Sequence, residues 1–148
     1  MKTFLVPVDF SSVSKKIVDT TVSFARSFGG KVVLLHVIAP PIIISEYVMP
    51  VEVALEPTVA SKEPATTKLN AYAGVLQAAG LSVEAIVRHG PPINAILEEA
   101  EEVNADFIIM GSHGHGKLYD LLVGSTASGV LKSAKCGVII MPHEEKVG

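Results

Sequence analysis

Five short apolar runs, separated by segments of helical periodicity, constrain this chain more than any other feature. Residues 3–8 form the first run and stop at Asp9; residues 32–37 form the second and stop at Ala39 and Pro40. Residues 81–87 alternate, and residues 107–110 and 138–141 complete the set. Apolar runs without alternation read as strands buried on both faces. Between the first two, Ile17, Thr21, Phe24, Ala25 and Phe28 recur at helical spacing. Ser11 and Ser12 are suited to cap that helix, and Gly29 with Gly30 closes it in a left-handed conformation. A second helix is expected from about Pro64, with Leu69, Tyr72, Ala73 and Leu76 on one face and Gly80 at its end. Pro91 and Pro92 open a third, whose stripe of Ile93, Ile96, Leu97 and Ala100 lies opposite Glu98, Glu99, Glu101 and Glu102. Those carboxylates read as a solvated face, since they do not converge as metal ligands must. A fourth helix begins at Ser125.

Strands alternating with helices imply an α/β fold: a doubly wound five-stranded parallel sheet with helices on both faces and right-handed crossovers. A length of 148 residues fits one domain, 1–148. The apolar fraction of 49% against 18% charged residues excludes a disordered chain. A net charge of -3 with scattered Lys and Arg argues against a nucleic-acid partner held by its phosphates. The single Cys136 rules out an internal disulfide and fits a reducing compartment, so a cytoplasmic location is expected. Asp9 interrupts the first apolar run too early for a signal peptide. His36, Pro40 and Pro41 break the most apolar stretch well short of the ~20 residues that cross a bilayer, so neither a membrane span nor a membrane partner is expected.

One segment breaks the rhythm. Residues 38–63 carry Pro40, Pro41, Pro50 and Pro57 among Ile42, Ile43, Ile44, Tyr47, Val48, Met49, Val51, Val53 and Leu55. This is long for a connection, so it reads as an apolar loop that covers a site or is covered by a partner, with room for a short helix.

In open parallel sheets ligands bind beyond the carboxyl ends of the strands, where the strand order reverses. In the order 3-2-1-4-5, Pro7, Val8 and Asp9 share a crevice with Met110, Gly111, Ser112, His113, Gly114, His115 and Lys117. In the alternative order 2-1-3-4-5, His89 and Gly90 would stand beside Asp9 and the glycine loop would lie off the switch point; the glycine placement favours the first. Glycines after a strand bring backbone N–H groups close to a phosphate, and Gly124, Ser125 and Thr126 add a helix N-terminus that attracts anions. Gly111, Gly116 and Lys117 come close to a P-loop, but Leu118 stands where a hydroxyl should reach the metal. His113 and His115 lack a third ligand, so no metal site is assigned, and hydrogen bonding to phosphate suits them better. Asp9 also has an ordinary reading, as a capping residue ahead of a helix. Cys136 has no neighbouring positive group in sequence and reads as a small buried side chain.

The spacing Gly111, Gly114, Gly124-Ser125, with two and nine residues between the glycines, is more informative. Together with Pro7, Val8, Asp9 and the ending Cys136 to Pro142, it resembles the ATP-binding type of the universal stress protein family over essentially the whole chain. That resemblance implies a Rossmann-like, adenine nucleotide alpha hydrolase-like fold of order 3-2-1-4-5. It gives Asp9 to the adenine-ribose part of the nucleotide, the backbone of Val37 to the adenine edge, and Gly111, Gly114, Gly124, Ser125 and Thr126 to the phosphates and ribose. Pro7, Val8, Met110, Ser112, His113 and Lys117 complete the expected contacts with ATP, which carries Mg or Mn. Two positions depart from the family pattern: Ala127, where many members have a second hydroxyl, and Gly137, where a proline is common and whose absence should loosen the entry to the last strand.

The expected function is an ATP-binding regulatory module of the stress response, in which nucleotide occupancy sets the segment 38–63 and so association with client or signalling proteins. No catalytic residue is assigned. A slow ATP hydrolase or phosphotransferase is the alternative, and a dimeric chaperone-like scaffold with a vestigial site is a third reading. The last strand, Val138, Ile139, Ile140 and Met141, lies at a sheet edge in this order. A homodimer through it is expected, as the resemblance also implies.

Overall fold

The computed structural model describes residues 1–40, 51–112 and 123–142. Five strands, β1 (Thr3–Pro7), β2 (Lys31–Ile38), β3 (Ser82–His89), β4 (Phe107–Gly111) and β5 (Gly137–Met141), form one sheet in the order β3-β2-β1-β4-β5. Every pairing is parallel, with Phe4 opposite both Val32 and Phe107, and Met110 opposite Ile140. The helices are α1 (Ser14–Phe28), α2 (Val51–Ala78), α3 (Pro92–Glu102) and α4 (Ser125–Ser133).

Strand alternation divides the core into two layers. Phe4, Val6, Val32, Leu34 and Ile109 face α1 and α2, where they meet Ile17, Val18, Ala25, Leu69, Ala73 and Leu76. Leu5, Val33, Leu35, Ile108 and Met110 face the opposite way, with Ile96, Ala127 and Val130. The side chains of Phe4, Leu5, Val6 and Val32 to Leu35 are fully enclosed. This is why β1, β2 and β4 show no polar alternation, whereas the edge strand β3 does.

Four local expectations need correction. The connection after β2 is shorter than the 38–63 reading, because α2 begins at Val51 and runs through Pro57 and Pro64. Pro64 is exposed, so carbonyls that lose an N–H partner there can turn to water. Residues 41–50 lie outside the described residues.

The start of α1 is not capped by the side chain of Ser11 or Ser12. Val13 occupies the capping position with no side-chain bond, and the turn is tied instead by Asp9, whose Oδ1 accepts from the Ser11 N–H at 2.9 Å and from Ser14 Oγ at 3.4 Å. The glutamates of α3 are not uniformly solvated. Glu99 is buried, and its Oε1 pairs with Arg88 Nη1 at 3.0 Å while Glu98 takes Nη2 at 2.9 Å. The partner sits on β3, beyond the reach of periodicity within α3. Gly137, finally, tightens rather than loosens the entry to β5. Its N–H donates to Asp106 O at 3.2 Å, and a Cβ there would stand 2.6 Å from the Phe107 ring.

Candidate functional site

The strand order reverses between β1 and β4, since β2 lies on one side of that pair and β5 on the other. A cleft of about 370 Å³ opens at the carboxyl ends of these strands. Pro7, Val8 and Asp9 line it from β1, Val37 from β2, Met110, Gly111 and Ser112 from β4, and Gly124, Ser125 and Thr126 from the start of α4. The structure thus brings these ten candidates together. His113, Gly114 and Lys117 lie outside the described residues.

Residues that sequence reasoning did not place in the site complete the walls, namely Val13 ahead of α1 and Ile17 within it, Leu35 and Ala39 from the second strand and its end, and Pro92 and Ile96 of α3, while Ala127, singled out by the family pattern, lies there too. The first turns of α1 and α3 follow strands that end at this side of the sheet, and that topological signal could have found them. Singling out polar residues and glycines could not, because these walls are apolar.

The turn after β1 is held from behind. The Val8 N–H donates to Leu35 O at 2.8 Å, and the Val8 carbonyl lies 2.8 Å from His36 Nδ1. Phe10 follows with φ of 64°, a conformation costing a non-glycine residue roughly 1 kcal/mol or more. Its ring is fixed away from the cleft, stacked on His36 at 4.2 Å and near Tyr72 at 6.3 Å, with Lys68 Nζ 5.4 Å from its centroid. The turn therefore sends Asp9 toward the cleft and Phe10 toward α2.

Across the cleft, the Ser112 N–H donates to Met141 O at 2.8 Å, and the Gly124 N–H donates to Ser112 O at 2.6 Å. These bonds bring the end of β4 and the start of α4 together although eleven residues separate them in sequence. Gly124 is extended, and no side chain among the described residues caps the helix it precedes. The first N–H groups of α4 have no acceptor within the helix and sit at the cleft, beside the exposed Ser125 hydroxyl. Asp9 is the one charged side chain among the described lining residues. An apolar floor with hydroxyls, uncapped N–H groups and one carboxylate at the rim can take a flat apolar ring inside and an anionic group at α4.

Among the described residues no three His, Cys, Asp or Glu side chains converge as metal ligands, and no helix is long and apolar enough to cross a membrane. The Cys136 thiol lies away from this cleft. Burial pushes its ionisation above the ordinary 9.0, with the Asp106 charge adding to the shift, which disfavours a nucleophilic thiolate.

The family model for the universal stress protein family matches residues 1–142. The chain belongs to the universal stress protein family. Universal stress protein A homolog 1 of Coxiella burnetii is 32% identical over 147 residues, covering 97% of this chain and 98% of that protein. Universal stress protein MJ0577 of Methanocaldococcus jannaschii is 28% identical over 155 residues, covering 97% of this chain and 96% of that protein. A solved structure of MJ0577 superposes with a TM-score of 0.86 at 29% identity, covering 98% of both chains. A universal stress protein solved in complex with cAMP shares the fold, with a TM-score of 0.71 at 24% identity over 95% of this chain and 96% of that one. The five-stranded parallel sheet of order 3-2-1-4-5 is thus the Rossmann-like α/β fold of this family.

Proposed function

We propose that this universal stress protein domain, spanning residues 1–148, binds ATP in the switch-point cleft and acts as a nucleotide-dependent regulatory module of the stress response in the cytoplasm. The observation that carries the reading is the pairing of an apolar floor with the uncapped N-terminus of α4 at one end of the cleft. The adenine and ribose fit between Val37, Asp9 and the apolar walls of α1 and α3. The phosphates lie against the N–H groups of Ser125, Thr126 and Ala127 and the turn after Gly111. Gly114, His113 and Lys117 belong to the same contact set by their place in the sequence. A Mg or Mn ion fits as a companion of the phosphates, because Mg is commonly held by one or two carboxylates, water and phosphate oxygens rather than by a full protein cage. The ion would screen triphosphate charge, held chiefly by phosphate oxygens and water, with Asp9 the one carboxylate among the described lining residues.

Regulation rather than turnover is favoured by what surrounds Asp9. Its Oδ1 is already engaged by Ser11 and Ser14, so the one carboxylate of the described cleft is committed to shaping the turn and is poorly placed to activate water. Nucleotide occupancy would act on the connection before α2 and on association with client or signalling proteins.

Protein purified without added ligand, analysed by mass spectrometry and then followed over time, tests the reading. Co-purified, unconverted ATP supports it. Steady formation of ADP replaces it with a slow hydrolase or phosphotransferase, and an empty site without affinity for added ATP replaces it with a scaffold whose site is vestigial.

The proposed module is a homodimer through β5. This strand pairs with β4 on one side, and Val138, Ile139, Ile140 and Met141 are all partly exposed. Antiparallel pairing with a second copy across a two-fold axis would satisfy the free edge and cover those side chains. Ile140→Lys should give the monomer mass in light scattering, and an unchanged dimer mass would place the interface elsewhere.

A further inference from the structure

Helices α3 and α4 meet through a glycine. A Cβ on Gly129 would stand 2.4 Å from Cδ1 of Ile93, 3.0 Å from Cγ1 and 3.3 Å from Cγ2. Both branches of Ile93 occupy the volume that a side chain at 129 needs. Turning the terminal methyl clears one contact alone, because χ1 of a β-branched residue in a helix is held to one rotamer. Glycine inside a helix costs about 1 kcal/mol relative to alanine, so helix formation does not explain it. The close approach of the two helices does.

The consequence falls at the other end of α4. Gly129 follows Gly124 by five residues, about 7.5 Å along the axis. Gly124 is tied to the end of β4 by its bond to Ser112, so α4 is held at two points, and a push at Gly129 tilts the helix about the first. Ile93 adjoins Pro92 and lies near one turn from Ile96, both in the cleft wall, so the same contact joins the two helices that bound the site.

We infer that Gly129 is a positioning residue for phosphate recognition: by letting Ile93 nest against α4, it sets where the N–H groups of Ser125, Thr126 and Ala127 stand in the cleft. The inference rests on the ATP reading above and deepens it. Gly129 governs discrimination between a nucleoside phosphate and the bare nucleoside, because the ring and ribose contacts come chiefly from β1, β2, α1 and α3. Neither Gly129 nor Ile93 lines the cleft itself.

Calorimetric titration of the full chain with ATP and, separately, with adenosine provides the test. The parent should bind ATP more tightly than adenosine. Gly129→Ala should weaken ATP about tenfold, the scale of losing hydrogen bonds to a charged group, and leave adenosine within about twofold. Adding Ile93→Ala to Gly129→Ala empties the clashing volume and should bring ATP back to within about threefold of the parent. If Gly129→Ala does not fold, Ile93→Ala alone serves: it unseats α4 and should weaken ATP but not adenosine. An unchanged ratio of ATP to adenosine affinity in the folded variant overturns the inference, as does an equal loss of both ligands or a double variant that fails to recover. A parent that binds adenosine as tightly as ATP overturns the phosphate reading of α4 itself, and this inference with it.

Discussion

The two ends of the sheet are built from the same strands and solve opposite problems. At the amino end, on the α1 side, Phe4 stacks on Phe107 at 5.7 Å, and Phe28 closes over both at 6.2 and 6.1 Å. Glycines there make room for rings: a Cβ at Gly30 would stand 2.5 Å from the Phe4 ring, and one at Gly137 would stand 2.6 Å from Phe107. Backbone groups are paired across elements, with the Thr3 N–H on Asp106 Oδ2 and the Asp106 N–H on Thr3 O, both at 2.8 Å. At the carboxyl end the glycines Gly111 and Gly124 border open space, α4 begins without a side-chain cap, and Phe10 is held in a left-handed conformation. One end places its side chains for packing, while the other leaves backbone groups at an open cleft.

The largest expected effect that separates the ends is on stability. Gly30→Ala drives a methyl group into the Phe4 ring and to 2.8 Å from the Lys2 carbonyl oxygen, and the backbone cannot yield as a side chain can. It should cost about 3 kcal/mol, read as a lower thermal midpoint, while the folded fraction binds ATP with unchanged affinity. A weakened affinity in the folded fraction would show that the ends are coupled.

Phe10→Gly should do the reverse. It relieves the left-handed strain, worth roughly 1–2 kcal/mol, but loses the His36 stack, worth about 0.5–1.5 kcal/mol, and the burial of a ring packed against the core, so a net loss of about 1–2 kcal/mol is expected, smaller than at Gly30. ATP affinity should fall about threefold as the turn that presents Asp9 loosens. A large drop in the thermal midpoint with intact binding would make this turn part of the packed end.

The smallest effect concerns Cys136. The folded chain holds the thiol proton more tightly than the unfolded chain does, so this group favours folding fully at neutral pH, and its contribution is lost as pH rises past the ordinary 9.0 and through the raised native value. Alkylation of the native protein should therefore lag behind a free thiol until pH exceeds 9.0. Rapid modification at neutral pH would reveal an activated thiolate.

How much of this was legible in the sequence follows the same division. The buried strands β1, β2 and β4, the glycine stop of α1 at Gly29 and the proline start of α3 were all readable, because each is a local property of the chain. Strand order was narrowed by the glycines around Gly111 and settled by the structure. Features that depend on distant partners were not legible: Glu99 meets Arg88 from another element, Gly129 answers to Ile93, and Phe107 fills the space at Gly137. The start of α2 is not legible because proline reads as a helix beginner, whereas α2 runs through Pro57 and Pro64, and the exposed Pro64 leaves a carbonyl without its N–H partner to water. In the cleft, polar groups and glycines were found by their chemistry, whereas Val13, Ile17, Pro92 and Ile96 entered only through topology.

The central claim is that the N–H groups at the start of α4, which have no acceptor within the helix, receive the phosphates, and amide resonances read those groups directly. In the ¹⁵N-labelled chain, ATP with Mg should shift the amides of Ser125, Thr126 and Ala127 strongly, while adenosine should move those near Asp9 and Val37 and leave the α4 amides close to their free positions. Amides of Ser125 to Ala127 that stay in place at saturating ATP would contradict the claim.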